Sequence, residues 1–266
     1  MNRNDLNFFK TWFSDYVKTF YSEGEEDRRN IALKELHTHK VCRDIVRIGR
    51  ELNFDQNNIM LAETIGLFHD IGRFPQYAEY KSFRDADSVN HGALGAKVLL
   101  DQRVLRAIPE DERDMIIQAV KFHNSFSIPE LRSTDHTGHI LFLRLIRDAD
   151  KLDIWRVFIE YYESPPKDRA SAVGLGLPDT PSYSAEVLSC VLEQRIATLS
   201  SLRTLNDFKL LQLSWVYDLN FEPSIRLLSE RGYIGRIIAT LPQTEEILRA
   251  SAFPEGYVQG RLGRET

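Results

Sequence analysis

Cysteine is scarce in this sequence of 266 residues, which contains only Cys42 and Cys190. Two cysteines so far apart build no disulfide framework, and the chain has no C-x-x-C pair of the kind that holds structural zinc. The fold must therefore be held by a packed core. The length is near the upper end for one domain with a single core, so it does not by itself require two domains.

Long apolar runs and an excess of positive charge are also missing. No run approaches the roughly 18 residues that suggest a membrane span. The aromatic segment 1–21 is interrupted by Asn, Asp and Lys, unlike the apolar centre of a signal peptide. The net charge of −5 argues against general binding of nucleic acids or membrane surfaces. We therefore expect a cytoplasmic globular protein without a membrane partner, and no pattern indicates its oligomeric state.

Helical periodicity dominates the sequence, and we predict an all-α fold. Apolar residues at spacings of three and four predict an amphipathic first helix; they are Phe9, Trp12, Phe13, Tyr16, Val17 and Phe20. A further helix is predicted to begin after an N-cap at Asp55. Other patterns predict helices over 27–52, 91–100, 111–122, 139–163, 184–202, 205–219 and 223–228. Segment 74–90 is predicted to be a loop. Segment 233–241 fits a strand or a helix, and the last dozen residues, with three glycines, are predicted to fray.

The clearest break in the helical pattern is Ser164–Ser184, which contains four prolines and two glycines. This composition excludes a continuous helix and predicts a long surface loop. We therefore predict three parts: a helical core over 1–163, the loop over 164–184, and a helical extension over 185–266 that packs on the same core.

The chemistry of the chain centres on an adjacent histidine and aspartate at the end of an apolar helix. His69 and Asp70 can converge on one ion if it lies between their two directions, giving a mixed nitrogen and oxygen site. An unpaired charge at Asp70 would be costly in that apolar context. Gly72 lets the backbone turn and approach closely, and Arg73 lies one turn after His69.

Three ordered motifs resemble the HD-domain superfamily of metal-dependent phosphohydrolases. They are His37-Thr38-x-x-Val41, His69-Asp70-Ile71-Gly72-Arg73 and Ala149-Asp150-Lys151-Leu152-Asp153, and they span under half of the chain. The resemblance implies a helical bundle with His37, His69, Asp70 and Asp150 as metal ligands. His39 and Asp148 are alternatives, although Val41 four residues after His37 and the Ala-Asp-x-x-Asp pattern favour His37 and Asp150. Asp148 and Asp153 fit ordinary salt bridges or the orientation of a ligand.

Two further histidines, His91 and His123, resemble the additional ligands of two-metal HD proteins. These proteins include cyclic-dinucleotide phosphodiesterases and dinucleoside-tetraphosphate hydrolases. The chain lacks the second histidine and the Gly-Tyr-Pro segment that follow in the former group. The alternative is that His91 and His123 bind substrate phosphate or cap helices. His136 and His139 lie in a polar stretch and fit a solvated helix start.

The resemblance implies a metal-dependent phosphohydrolase that acts on a small phosphorylated substrate, a nucleotide or another phosphate ester. Asp70 and Arg73 would be catalytic, and Arg73, Lys151 and Arg144 would bind substrate; Arg147, Lys81 and Arg84 are weaker candidates. The ligand set without thiolate favours one or two Mn, Fe, Co, Ni or Mg ions. The motifs also fit a diiron oxygenase of the inositol-oxygenase type, or an HD domain that binds a ligand without catalysis.

Overall fold

The structure is a computed structural model that describes residues 1–128, 136–165, 173 and 176–263. All regular structure in these residues is helical, which confirms the predicted all-α fold. The α-helices are α1 Arg3–Lys18, α2 Glu25–Glu51, α3 Gln56–Phe68, α4 Arg73–Tyr80, α5 His91–Asp101, α6 Glu110–Phe122, α7 His136–Glu163, α8 Ala185–Leu192, α9 Leu205–Ser214, α10 Glu222–Glu230, α11 Tyr233–Ala239 and α12 Glu245–Leu262. No helix in these described ranges is long and apolar enough to cross a bilayer.

The described residues form two compact units, one up to Asp153 and a second from Ile154 onwards. The division falls inside α7, so this helix contributes residues to both units. The predicted boundary at Glu163, and the packing of 185–266 on the same core, stay predictions.

The core of the first unit is built around α2 and α3, which pack closely together. One face of α2 is apolar and fully buried, with Val41, Ile45 and Ile48 inaccessible to solvent. Asp55 caps α3 by accepting a hydrogen bond from the backbone N–H of Asn58, as predicted. Because α3 is almost wholly buried, its C-terminal end delivers His69 and Asp70 to the interior.

The second unit contains α8 to α12, and α9 is buried along its whole length. Thr204 and Asp207 form a capping box at the start of α9, which satisfies backbone donors that would otherwise be buried without partners. The indole of Trp155 donates to the backbone carbonyl of Gln212, so the end of α7 is tied to α9 within this unit.

The predicted loop over 74–90 is wrong for its first part, because α4 begins at Arg73. Pro75 is the third residue of α4, where its missing N–H would have no intrahelical partner. The remainder, from Lys81 onwards, contains a single 3₁₀ turn at Asp85–Asp87. This turn carries Asp85, whose side chain contacts His91.

Three other boundaries differ from the predictions. The helix predicted over 184–202 ends at Leu192, and Gln194 adopts a left-handed conformation. Segment 233–241 is the helix α11 rather than a strand. The last dozen residues do not fray as a whole, because α12 continues to Leu262 with Ile247, Ala250 and Val258 buried. Burial of this face outweighs the glycines, each of which costs about 0.5–1 kcal/mol in a helix.

Candidate metal centre

Four helices deliver histidines to one buried region of the first unit. His37 lies in the middle of α2, and His69 and His123 are the C-cap residues of α3 and α6. His91 is the first residue of α5, which Asn90 caps. All four imidazoles are at most 4% exposed. Imidazoles buried to this degree need polar partners.

Two glycines allow these helix ends to meet. A Cβ atom at Gly72 would collide with the carbonyl oxygen of His91 and lie 2.6 Å from the backbone nitrogen of Gly95. A Cβ atom at Gly92 would lie 2.7 Å from the carbonyl oxygen of Lys121. The turn after Asp70 therefore packs directly on the start of α5, and α5 packs directly on the end of α6.

Asp70 stands between two pairs of histidines. Its Oδ2 faces His37 and His69, whose Nε2 atoms lie 3.5 and 3.8 Å away. Its Oδ1 faces His91 and His123, at 3.3 and 3.7 Å from their Nε2 atoms. Each pair together with Asp70 has donor atoms close enough to hold one metal ion. One carboxylate is thus shared by two candidate metal sites.

Asp150, from α7, belongs to the first of these sites. Its Oδ1 lies 3.1 Å from Nε2 of His37 and 3.6 Å from Nε2 of His69. The sequence motifs predicted His37, His69, Asp70, His91, His123 and Asp150 as ligands. The structure gathers all six in one cluster, and their binding of metal stays a prediction.

The hydrogen bonds of the Nδ1 atoms define the tautomers. His69 and His123 donate from Nδ1 to the carbonyl oxygens of Gly66 and Val120, both at 2.8 Å. A carbonyl oxygen only accepts, so Nδ1 carries the hydrogen and Nε2 presents a lone pair when the ring is neutral. In the same way, Nδ1 of His37 lies 2.7 Å from Asp153, and Nδ1 of His91 lies 2.7 Å from Asp85.

The two Nε2 atoms within each pair lie close together, at a distance where two nitrogens that both present lone pairs would repel each other. They are 3.2 Å apart for His37 and His69 and 3.1 Å apart for His91 and His123. Two nitrogens bound at right angles to one ion, each at about 2.0–2.1 Å, would be about 3 Å apart. A metal ion between the two rings of each pair would accept a lone pair from both Nε2 atoms when the rings are neutral. The residues present therefore fit a metal site.

The pKa values of His37 and His91 are shifted in opposite directions. Burial and the charge of Lys34 oppose protonation of His37, but its hydrogen bonds to Asp150 and Asp153 outweigh them and raise its pKa to about 9. Burial and the charge of Arg73 instead lower the pKa of His91 to about 3. His91 is therefore neutral, and no proton on this ring relieves the opposed lone pairs.

The carboxylates of the centre stay ionised despite burial. Burial favours the neutral form of Asp70, but the charge of Lys34 and the neighbouring imidazoles hold its pKa well below the usual range. Burial acts on Asp150 in the same way, and the neighbouring imidazoles of His37 and His69 hold its pKa low. The centre thus presents anionic oxygens beside imidazole nitrogens, and both kinds of atom are ligands of divalent metals.

Two cations lie against Asp70. Nζ of Lys34 is 2.8 Å from Oδ2 of Asp70, and its side chain is 16% exposed. Nε of Arg73 is 3.5 Å from Oδ1 of Asp70 and is a buried nitrogen without a hydrogen-bond partner. Arg73 also donates to Asp85 at 2.8 Å, to Gln76, and to the carbonyl oxygen of Phe83. The guanidinium therefore links Asp70 to the residue that orients His91.

Sequence reasoning missed Lys34 and Asp85. Lys34 lies three residues before His37 and so on the same face of α2, which is the signal that could have indicated it. Asp85 lies in the segment predicted to be a loop. Its carboxylate also accepts from Gln76 and Asn124 at 3.0 Å, so it is the hub of the His91 side of the centre.

The other predicted substrate-binding cations occupy different surroundings. Arg144 is exposed and projects about 120° away from Asp150 around α7. Lys151 is half-buried next to Asp150. Arg147 is buried and donates to the carbonyl oxygens of His123 and Ser125, so it supports the end of α6.

The remaining weaker candidates are spread over the first unit. Lys81 and Arg84 pair with Asp27 and Asp87 at the surface. The alternative ligand His39 is exposed on another face of α2, with its ring against Phe13. Asp148, the other alternative, is fully buried.

The side chain of His136 lies outside the described residues. His139 is only 7% exposed, so the prediction of a solvated helix start is wrong for this residue.

The helices of the first unit thus gather four buried imidazoles and two carboxylates in an arrangement that could hold a metal ion. The model of the HD domain family matches residues 36–155, so the chain contains an HD domain. HD domains bind divalent metals and belong to a family of hydrolase-like proteins. No curated protein and no solved structure matches the chain.

Proposed function

We propose that this chain is a metal-dependent phosphohydrolase that acts on a nucleotide or another phosphate ester. The observation that carries the proposal is the position of Asp70, whose two oxygens face two histidine pairs. Both pairs turn their Nε2 atoms toward this carboxylate, and two cations flank it. This arrangement suits two divalent ions that share one carboxylate beside a binding site for an anion.

One ion would be held by His37, His69, Asp70 and Asp150, and the other by Asp70, His91 and His123. When bound, divalent ions polarise a phosphoryl oxygen and lower the pKa of water. The donor set contains no thiolate, which favours Mn, Fe, Co, Ni or Mg over structural zinc.

The protein itself supplies orientation and positive charge. Asp153 and Asp85 fix the rings of His37 and His91, so the Nε2 lone pairs of these two ligands are preorganised. Lys34 and Arg73 would stabilise negative charge that develops on a phosphoryl group, because cations aimed at that charge act strongly in a largely buried site. Arg73 also pairs with Asp85, so its removal would affect the His91 side as well as the substrate.

A screen for phosphate release tests the proposal. Purified protein, stripped of metal and reloaded with each of Mn, Fe(II), Co, Ni and Mg, is incubated with nucleotides and simple phosphoesters. We expect metal-dependent release of phosphate that Asp70→Asn abolishes. Asp15→Asn is the matched control, because Asp15 is an exposed carboxylate that pairs with the exposed Lys18.

The same preparation distinguishes the two alternative functions. Oxygen uptake by the Fe(II) form with a polyol or a phosphonate, without phosphate release, would assign oxygenase chemistry instead. Tight binding of a nucleotide without turnover under any metal would assign a ligand-binding domain. Either result would overturn the phosphohydrolase proposal.

A further inference from the structure

We propose that a second site in the first unit, on the outer face of α2, binds a small organic polyphosphate. A cavity of about 650 Å³ opens there, lined by residues of α1, α2 and α3. Its lining includes five cationic side chains: Arg3, Lys10, Arg43, Arg47 and Arg50. This is a strong local concentration of positive charge in a chain whose net charge is −5.

The cations form two stripes, one on α2 and one on α1. On α2, Arg43, Arg47 and Arg50 follow His39 at spacings of four, four and three residues, which places them along one face. On α1, Arg3 and Lys10 are seven residues apart and share a face in the same way. The two stripes belong to different helices that line the same cavity, so a ligand bound there could contact cations of both.

The cavity is separate from the candidate metal centre. His37 and His39 differ by two positions, which corresponds to about 200° around a helix. His37 is buried in the centre, whereas His39 is exposed and lines the cavity. The two sites therefore use opposite faces of the same helix.

Two of the five cations at this cavity are paired with carboxylates. Glu63 is the one carboxylate among its described lining residues, and it lies 2.5 Å from Nζ of Lys10. Arg47 pairs with Glu51 of its own helix at 3.1 Å. Within the described residues, no ion pair or hydrogen bond of the side chains of Arg3, Arg43 or Arg50 is recorded. Guanidinium groups bind phosphate oxygens through two parallel hydrogen bonds, so an anion with several phosphates would satisfy them.

The size of the cavity selects a small ligand over a polymer. Its volume lies within the range of about 300–1,000 Å³ that is typical of small-molecule sites. The acidic remainder of the chain would repel an extended nucleic acid. Five cations on two helices exceed what one phosphate group can contact. Val46 and Leu67 add an apolar part to the lining, which suits the organic portion of the ligand.

Isothermal titration with tripolyphosphate as the probe tests this site, using the full chain in EDTA. The variant Arg43→Glu/Arg50→Glu should weaken binding by at least about tenfold, because rim charges of this kind determine the electrostatic attraction. Arg28→Glu/Arg29→Glu is the matched control: it makes the same change of charge on exposed positions of α2 outside the cavity. We expect the control to stay within about twofold of the wild type. If charge reversal impairs folding, as circular dichroism would show, Arg43→Gln/Arg50→Gln provides the same test.

Three results would overturn the proposal. In the first, the wild type does not bind tripolyphosphate. In the second, the cavity variant and the control variant lose the same amount of affinity for tripolyphosphate. In the third, orthophosphate binds as tightly as tripolyphosphate. Binding that disappears in Lys34→Ala but survives in the cavity variant would place the anion at the metal centre instead. A single-stranded oligonucleotide that binds through Arg43 and Arg50 more tightly than tripolyphosphate would assign the face to nucleic acid.

Discussion

Lys34 and Asp70 form an ion pair, with 2.8 Å between Nζ and Oδ2, in the interior of the first unit. The carboxylate in this pair is the one that both histidine pairs share. A cation at this position holds the pKa of Asp70 low and leaves positive charge beside the surface where a phosphate would bind.

Lys34→Met should therefore reduce turnover without removing metal. The substitution keeps the aliphatic stem but removes the charge, so we expect kcat for phosphate release to fall by about 10²- to 10³-fold. Metal content by elemental analysis should stay constant or rise, because a cation that competes for Asp70 has been removed. Lys18→Met, on the exposed end of α1, is the control. A full loss of metal in Lys34→Met would show that the lysine has a structural role instead.

The number of metal ions bound per chain should depend on the second histidine pair, His91 and His123. If His91 and His123 are ligands, His91→Ala and His123→Ala should each lower the stoichiometry from about two ions per chain to about one. His37, His69 and Asp150 would keep their ion. His39→Ala, which alters the exposed histidine of α2, should leave the stoichiometry unchanged. One ion in the wild type that both variants retain would make His91 and His123 phosphate contacts or helix caps.

Asp85 should control the affinity of one ion selectively. It orients His91 at 2.7 Å and accepts from Arg73 at 2.8 Å. Asp85→Asn is expected to weaken binding of one ion by about 10- to 100-fold and to leave the other unchanged, as measured by titration of metal-free protein. Asp87→Asn, two residues later on the exposed part of the same turn, is the matched control. An equal effect on both ions would contradict the separate roles of Asp85 and Asp153.

Gly72 should be intolerant of a side chain. A Cβ atom there would collide with the backbone of α5 rather than with a flexible side chain. We expect Gly72→Ala to lower the free energy of unfolding by more than about 2 kcal/mol, as measured by urea denaturation. Gly235→Ala is the contrast: no atom lies within 4 Å of its added Cβ, and removing a helical glycine should stabilise by up to about 1 kcal/mol. Equal stability of the two variants would show that α5 can move away from the turn.

The part of the centre that could be predicted is the part encoded in local motifs. His37, the pair His69 and Asp70, and Asp150 each stand in a recognisable short pattern, and the structure brings them together. Lys34 and Asp85 could not be identified in this way. A lysine one turn before a histidine is common on helices, and Asp85 reaches His91 only because the chain turns back after α4.

The errors in the fold have a related cause. Proline and glycine argue against helix when the surroundings are unknown. For this reason the sequence predicts a loop where α4 contains Pro75, and fraying where α12 contains glycines. In the structure Pro75 lies in the first turn of α4, and α12 has buried residues along its length. Packing of distant segments, which periodicity does not report, decides both cases.

The two histidine pairs share an asymmetry. In each pair, one ring is held by a backbone carbonyl of its own helix, and the other ring is held by a carboxylate from elsewhere in the chain. His69 and His123 are of the first kind, and His37 and His91 of the second. A backbone carbonyl is still present when the side chain of its residue is substituted. The carboxylates of Asp153 and Asp85, in contrast, can each be removed by a single mutation. Each half of the centre thus combines one ring oriented by the backbone with one oriented by a replaceable side chain, so a single substitution could retune one half without altering the other.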